Sequence, residues 1–177
     1  IILATVLGPM IQEIDSMVVG VSLPHMQGTF SAAPDQISWV LTSFLIGVAI
    51  AMPATGPVSA IFGRKQVLMW SIIGFTVTSV LAGLASSLTE MVTIRFIQGI
   101  FGAALTPLSM STLLSTFRRE DHGLALGWRG GGIMIAPIVG PTLGAVIAEY
   151  FTWRGVFFFN VPLGIFAFSI VSAYVPV

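Results

Sequence analysis

Four ionisable side chains lie inside long apolar stretches of the sequence: Glu13, Asp15, Arg95 and Arg129. An ionisable group at bilayer depth costs about 2.5–3.5 kcal/mol on insertion scales, so it faces a cavity or a partner. Burial favours the protonated form of a carboxyl, and a nearby arginine favours the charged form. Such a carboxyl can exchange a proton for a cation, which is the chemistry that a proton-coupled exporter requires.

Asp15 and Arg95 are the candidates for proton coupling. Glu13 lies two residues before Asp15 and points to nearly the opposite face of a helix, so we expect one of the two to face the main cavity and favour Asp15. Arg95 shares a helix face with Gln98, which suits a buried arginine hydrogen-bonded inside a bundle. The alternatives are a structural pair or cap for Asp15 and snorkelling for Arg95; for Arg129 snorkelling to the interface is the expected behaviour.

These residues must be positioned by membrane-crossing helices. Of 177 residues, 55% are hydrophobic and 8% are charged, whereas a soluble domain carries roughly 25% charged residues. A membrane-crossing helix needs about 20 mostly apolar residues. Six stretches qualify: 1–23, 37–60, 67–87, 91–114, 123–148 and 155–177. We therefore predict an all-α membrane protein in which residues 1–177 form one transmembrane bundle, with the lipid bilayer as its surroundings.

Composition and motifs exclude several functions. Seven basic residues balance seven acidic ones, so no basic field exists to hold a nucleic acid. Cysteine is absent, which excludes disulfides and thiolate metal sites. The sequence shows no nucleophile–base pair, metal-ligand spacing or phosphate-binding glycine loop. We therefore predict that the protein is not an enzyme and has no metal or cofactor.

Basic residues in the predicted loops indicate the orientation. The second-to-third and fourth-to-fifth loops hold Arg64, Lys65, Arg118 and Arg119, whereas the loops on the other side hold only Arg154. Basic residues concentrate on the cytoplasmic side of a membrane protein. The amino terminus is therefore predicted to be cytoplasmic.

The fifth stretch contains small residues at a spacing of four. Glycines at this spacing form a flat stripe on a helix that allows another backbone to approach closely. Two prolines between the two runs predict a bent helix at a tight interface, with ordinary helix packing as the alternative. The residues concerned are Gly123, Gly127, Gly131, Pro137, Gly140, Pro141 and Gly144.

The chain also shows signs of two related halves. Gly56-Pro57 is followed by Phe62-Gly63-Arg64, and Gly140-Pro141 is followed by Phe151-Thr152-Trp153-Arg154. If the first and last three helices are copies of one unit, the copies are inverted because three is odd. Inverted three-helix repeats are typical of secondary transporters.

Five segments carry a family resemblance. They are Ile14–Pro24, Gly56–Lys65, Arg95–Ala103, Ala136–Ala145 and Trp153–Gly164. In this order they are similar to the helix 1 motif, the cytoplasmic gating motif, the helix 4 motif, the antiporter motif and the start of helix 6 in one family. The chain resembles the amino-terminal half of the major facilitator superfamily, and more narrowly the EmrB/QacA-type drug:proton antiporters. The implied fold is the amino-terminal six-helix bundle, with two inverted three-helix repeats.

The resemblance assigns roles to particular positions. It makes Asp15 the protonatable site and Arg95 its modulator. The matched gating-loop residues are Gly56, Gly63, Arg64 and Lys65. The matched residues of the helix 4 motif, beside Arg95, are Gln98, Gly99 and Gly102. The matched antiporter residues are Pro137, Gly140, Pro141 and Gly144, and they imply a helix 5 that packs against the other half of the molecule. Ala60 and Ile61 replace the gating motif's usual Asp and Arg.

The implied function is export of hydrophobic or cationic drug-like compounds by alternating access. The proton gradient would drive it, without a cofactor, in a bacterial cytoplasmic (inner) membrane. Both chain ends lie within or next to apolar runs, so we expect a fragment that is inactive without the carboxy-terminal bundle of the same protein. Some relatives require a periplasmic adaptor protein, and the sequence leaves open whether one is recruited here.

Two alternatives remain at this stage. The first is a sugar or metabolite facilitator of the same superfamily, against which the Gly140-Pro141 motif argues. The second is a non-transporting, half-length membrane scaffold that docks through the glycine stripe of the fifth stretch.

Overall fold

The structure is a computed structural model and describes residues 2–175. Six helices in this part of the chain are long and apolar enough to cross a membrane. We number them helix 1 to helix 6: Ile2–Phe30, Pro34–Phe62, Arg64–Leu84, Leu88–Thr116, Arg119–Tyr150 and Trp153–Tyr174. The described residues contain no β-strand, so the predicted all-α membrane fold is confirmed.

Several helices are longer than the apolar stretches that predict them. Helix 1 continues through Pro24 to Phe30, although residues 24–28 were expected to be a loop. The carbonyl of Gly20 would clash with the Pro24 ring in a regular helix, and a kink of the chain relieves such a clash. Helix 3 begins at Arg64, so both basic residues of the expected loop lie in its first turn.

Prolines also break the regular α-helical hydrogen bonding within helices 2 and 4. Helix 2 changes to a 3₁₀ turn over Met52–Ala54, which includes Pro53. Helix 4 is interrupted between Gly102 and Leu105, and Pro107 follows at once. Proline lacks the N–H that would donate to the carbonyl one turn earlier in an α-helix. A 3₁₀ or open turn does not use that hydrogen bond.

The packing of the helices repeats when the two halves are exchanged. Helix 1 packs mainly against helix 5, and its counterpart helix 4 packs against helix 2. Helices 3 and 6 pack against each other. At the start of helix 3, Arg64 donates to Ser115 in the last turn of helix 4; at the start of helix 6, the Trp153 indole donates to Thr29 in the last turn of helix 1. These contacts agree with two inverted three-helix repeats.

The bundle interior has an apolar cluster at each end and polar side chains between them. One cluster includes Leu7, Phe75 and Val171, and the other includes Val18, Met91 and Phe157. Every helix that supplies the polar layer also contributes residues to the clusters on either side of it, so the layer lies near mid-bundle. Burial of the two clusters fixes the helix rotations, and the rotations determine which polar side chains meet.

Candidate functional site

Asp15 of helix 1 and Arg95 of helix 4 form an ion pair at the centre of the bundle. The Arg95 Nη1 atom lies 2.6 Å from the Asp15 Oδ2 atom, and both side chains are fully buried. The residues are far apart in sequence, and they meet where helix 1 runs beside helix 4, which it contacts along Leu105–Thr116. Buried charges are tolerated when they are paired and hydrogen-bonded, and this pair meets that condition.

Helix 6 supplies a second donor to the same carboxylate. The Asn160 Nδ2 atom donates to Asp15 Oδ1 at 2.6 Å and to the Ser79 hydroxyl of helix 3 at 3.0 Å. Ser79 in turn donates to the carbonyl oxygen of Phe157 at 2.9 Å. Each carboxylate oxygen of Asp15 therefore accepts one short hydrogen bond, from Arg95 on one side and from Asn160 on the other.

Arg95 has neutral partners in addition to Asp15. Its Nη1 atom donates to Gln98 Oε1 at 2.6 Å, and its Nε atom donates to the Val40 carbonyl of helix 2 at 3.3 Å. The guanidinium carbon lies 4.4 Å from the ring centroid of Phe44, which is cation–π distance. Among the described residues its Nη2 atom has no hydrogen-bond partner. The arginine thus keeps several contacts that do not depend on the charge of Asp15.

The contacts of Arg95 with neutral groups bear on how the pair would respond to a change in the charge of Asp15. With Asp15 ionised, the pair is neutral overall and both carboxylate oxygens are satisfied. With Asp15 protonated, the ion pair is lost, but the Arg95 charge retains Gln98, the Val40 carbonyl and the Phe44 ring. Removing one partner of a buried pair is costly because it leaves a charge uncompensated, and these contacts lower that cost.

Two glycines allow helix 2 to reach Arg95. A Cβ added at Gly47 of helix 2 would collide with the carbonyl oxygen of Phe96, and one added at Gly99 of helix 4 would collide with the carbonyl oxygen of Phe44. The two backbones are therefore in direct contact, which small residues permit. Gly102 lies against the rings of Phe75 and Phe44. The close crossing explains how the Val40 carbonyl and the Phe44 ring come within reach of Arg95.

The gating-loop residues form a tight corner between helices 2 and 3. Gly63 alone connects them, with φ of 87°, a conformation that favours glycine. Arg64 Nη1 donates to Ser115 Oγ at 2.8 Å and to the Ser111 carbonyl and hydroxyl at 3.3 Å. Its partners are neutral groups at the end of helix 4. Lys65 is half-buried and Gly56 has open space around it; the gating role of this corner stays a prediction.

Two glycines of the antiporter motif lie at a contact within this bundle. Gly140 and Gly144 are buried against Met17 and Val18 of helix 1, and packing of helix 5 against another half of the molecule stays a prediction. Helices 1 and 5 make extensive contact, and the missing side chains of these glycines allow it. The other predicted motif residues, Pro137 and Pro141, are exposed and half-buried.

The first glycine run of helix 5 has a different environment. A Cβ added at Gly123, Gly127 or Gly131 would meet no atom within 4 Å. Next to this run, Arg129 is half-buried, and its Nε and Nη2 atoms have no partner among the described residues. This part of helix 5 therefore presents a groove of small residues without a helix packed into it.

The sequence predicts functional roles for Asp15, Arg95 and Gln98, but not for Asn160 and Ser79, which belong to the same hydrogen-bond network. Asn160 lies within the segment Trp153–Gly164 that carries the family resemblance, and Ser79 lies in none of the five segments. One signal was available for Asn160, because a carboxamide inside the apolar helix 6 needs a buried partner. No such signal existed for Ser79, since isolated serines are common in membrane helices and bond to their own backbone.

The comparisons with known proteins agree with this fold. The family model for the Major Facilitator Superfamily matches residues 5–177. The multidrug export protein EmrB of Escherichia coli K12 is 36% identical over 163 residues, which are 92% of this chain and 32% of EmrB. EmrB of Haemophilus influenzae is 38% identical over the same length. The chain thus spans about a third of the curated relatives that it matches.

Solved structures show the same architecture. The proton:xylose symporter XylE, bound to 6-bromo-6-deoxy-D-glucose, superposes with a TM-score of 0.88 at 19% identity, covering 97% of this chain and 43% of that chain. The inward-open xylose transporter XylE from E. coli gives 0.84 at 19% identity, over 97% and 47%. The fold is that of one six-helix bundle of a secondary transporter. The chain belongs to the Major Facilitator Superfamily, which places it among membrane transporters rather than enzymes.

Proposed function

We propose that this chain is the amino-terminal bundle of a proton-coupled exporter of hydrophobic or cationic drug-like compounds. The observation that carries the proposal is the fully buried Asp15–Arg95 ion pair at mid-bundle. Ionisable groups inside a membrane are costly and are retained for proton or substrate pathways. Similarity to multidrug export proteins supports the substrate class.

In the proposed cycle, Asp15 is the site that takes up and releases the proton. Protonation removes the ion pair with Arg95 and weakens the link between helices 1 and 4. Gln98 and the Val40 carbonyl then hold the arginine until the proton leaves. Alternating access also requires a second bundle that moves against this one, and we propose that it belongs to the same protein and lies outside this chain. The proton gradient would drive the cycle in the cytoplasmic membrane.

The test uses the full-length protein in proteoliposomes with an imposed proton gradient. Asp15→Asn removes the titrating group but retains a polar side chain of similar size, and we expect proton-coupled ethidium efflux to fall at least about tenfold, the loss typical of removing a residue that transfers a proton. Asp35→Asn is the matched control, because Asp35 is exposed in the first turn of helix 2 and should leave efflux unchanged. Intact coupling in Asp15→Asn would refute the assignment.

The same proteoliposomes distinguish the proposed exporter from a sugar or metabolite facilitator. An exporter of this kind releases or takes up protons when its substrate is added, whereas a facilitator moves its substrate down a gradient without proton flux. A half-length scaffold would show neither activity. The likeness to the XylE structures concerns the fold and does not favour the facilitator.

A further inference from the structure

A chain of hydrogen bonds leads from Asp15 through helix 6 to helix 3. Asn160 Nδ2 donates both of its hydrogens, one to Asp15 Oδ1 at 2.6 Å and one to Ser79 Oγ at 3.0 Å. Ser79 donates its own hydrogen to the Phe157 carbonyl at 2.9 Å, so its oxygen is the acceptor for Asn160. These contacts fix the carboxamide with its nitrogen towards Asp15, which is the orientation that an ionised carboxylate requires.

A proton on Asp15 changes what this carboxyl needs from its partners. A protonated carboxyl carries an O–H donor, whereas Arg95 and Asn160 both donate to Asp15 in the structure. An arginine side chain has donors and no acceptor, and it keeps its proton in proteins. Asn160 carries a donor and an acceptor in one carboxamide. Of the two partners, it is therefore the one that can accept the new hydrogen.

The switch between donor and acceptor needs a rotation of one side chain. A turn of the Asn160 carboxamide by about 180° exchanges nitrogen and oxygen, which occupy nearly the same volume. Its Oδ1 atom then accepts the O–H of Asp15. The Ser79 hydroxyl turns from the Phe157 carbonyl to donate to the same oxygen. Two hydrogen-bond patterns, one for each protonation state, thus fit one arrangement of heavy atoms.

The surroundings leave this role to Asn160. Asn160 and Ser79 are fully buried, and Asp15 and Arg95 are the buried titratable side chains in the part of the chain that the structure describes. Helix 4 therefore contributes one charged group to the site, whereas helices 3, 5 and 6 contribute no buried titratable group among the described residues. The charge of Asp15 is balanced by Arg95, and its hydrogen-bond pattern is completed by Asn160.

We propose that Asn160 is a positioning residue that stabilises both protonation states of Asp15, as donor to the carboxylate and as acceptor from the carboxylic acid. Ser79 holds the carboxamide in the first orientation and follows it into the second. The inference rests on the proposed function, because it describes how the same proton site is held. It also brings helix 3 into the proton step, since a Cβ added at Gly164 of helix 6 would collide with the Thr76 side chain and the two helices are closely packed there.

The experiment records infrared difference spectra of the full-length protein in lipid membranes, between alkaline and acidic buffer. The C=O stretching band of protonated Asp15 is identified by its loss in Asp15→Asn. Hydrogen bonding lowers the frequency of such a band, so we expect the band to move to higher frequency in Asn160→Leu, which is similar in size but neither donates nor accepts. Proton-coupled ethidium efflux should fall by about threefold to tenfold, the loss that one hydrogen bond produces.

Three further variants separate this role from a structural one. Gln66→Leu is the matched control, because it makes the same change of carboxamide to Leu at an exposed position of helix 3 and should alter neither the band nor efflux. Ser79→Ala keeps the carboxamide, so the band should stay at its wild-type frequency. Asn160→Ala removes the carboxamide without adding bulk, and it replaces Asn160→Leu as the test if the Leu variant does not fold.

An Asp15 band that keeps its wild-type frequency in the variants without the carboxamide overturns the proposal, because the proton then has another acceptor, such as a backbone carbonyl of helix 1. A wild-type protein without any Asp15-dependent band overturns the proposed proton site and this inference with it. The two failures are therefore distinguishable in one set of spectra.

Discussion

Asp15 and Glu13 are two carboxylates of one helix, two residues apart, and they occupy opposite kinds of environment. Asp15 is fully buried and accepts hydrogen bonds from Arg95 and Asn160. Glu13 is half-buried and forms no ion pair among the described residues. The difference teaches that charge at bilayer depth does not by itself specify a role. Rotation about the helix axis decides which carboxylate is enclosed by the bundle and which stays partly exposed.

The same contrast applies to the two glycine runs of helix 5. Gly140 and Gly144 let helix 1 approach, whereas Gly123, Gly127 and Gly131 face open space. Both runs have the spacing of a packing motif, yet only one is packed within this bundle. Packed and unpacked regions thus lie side by side on helices 1 and 5. The substitutions below test whether the packed region contributes more to the free energy of unfolding.

The largest expected effect on the free energy of unfolding follows from breaking the Asp15–Arg95 ion pair. Arg95→Met leaves Asp15 buried without its cation and should lower the free energy of unfolding of the full-length protein by about 3–5 kcal/mol. Denaturant unfolding in detergent micelles measures this loss in the free energy of unfolding. The double variant Asp15→Asn with Arg95→Met should lose less than the sum of the single losses, because no charge then stays uncompensated. Additive losses would show that the two side chains do not interact.

An intermediate effect is expected where helices 2 and 4 cross. Gly47→Ala places a Cβ against the backbone at Phe96, so the helices must separate, and overpacking of this kind costs about 1–3 kcal/mol. Because the Val40 carbonyl and the Phe44 ring then move away from Arg95, proton-coupled efflux should fall as well. Gly20→Ala is the control, since a Cβ there meets nothing within 4 Å. Equal stability of the two variants would contradict the close crossing.

The smallest effect on the free energy of unfolding is expected at Glu13. Glu13→Gln removes a charge that has no partner within this bundle, so the free energy of unfolding should change by no more than about 0.5 kcal/mol. Thermal unfolding of Glu13→Gln beside Asp15→Asn makes the comparison direct, since the second variant loses half of a buried pair. A loss at Glu13 as large as that at Asp15 would remove the distinction between them.

Much of the architecture could be predicted from the sequence. Long apolar runs separated by short polar segments predict six membrane helices, because a continuous apolar run of about 20 residues has the length that a helix needs to cross the bilayer core. Helix ends were less predictable, as at Phe30 and Arg64, since hydropathy marks the apolar core of a helix and not its polar last turns. Asp15 and Arg95 could be singled out one at a time, because a charge inside an apolar run is conspicuous.

The pairing of these residues was decided by the tertiary structure. The sequence by itself determined that an aspartate, an arginine and an asparagine lie within the apolar stretches that form helices 1, 4 and 6. It carried no information on which of them would touch, because the distance between residues 15, 95 and 160 depends on how the helices rotate and cross. Contacts such as Gly47 against helix 4 and Gly144 against helix 1 fix those rotations. The physical reason is that close packing, a property of many side chains together, selects the helix rotations, and these rotations bring Asp15, Arg95 and Asn160 into hydrogen-bond distance.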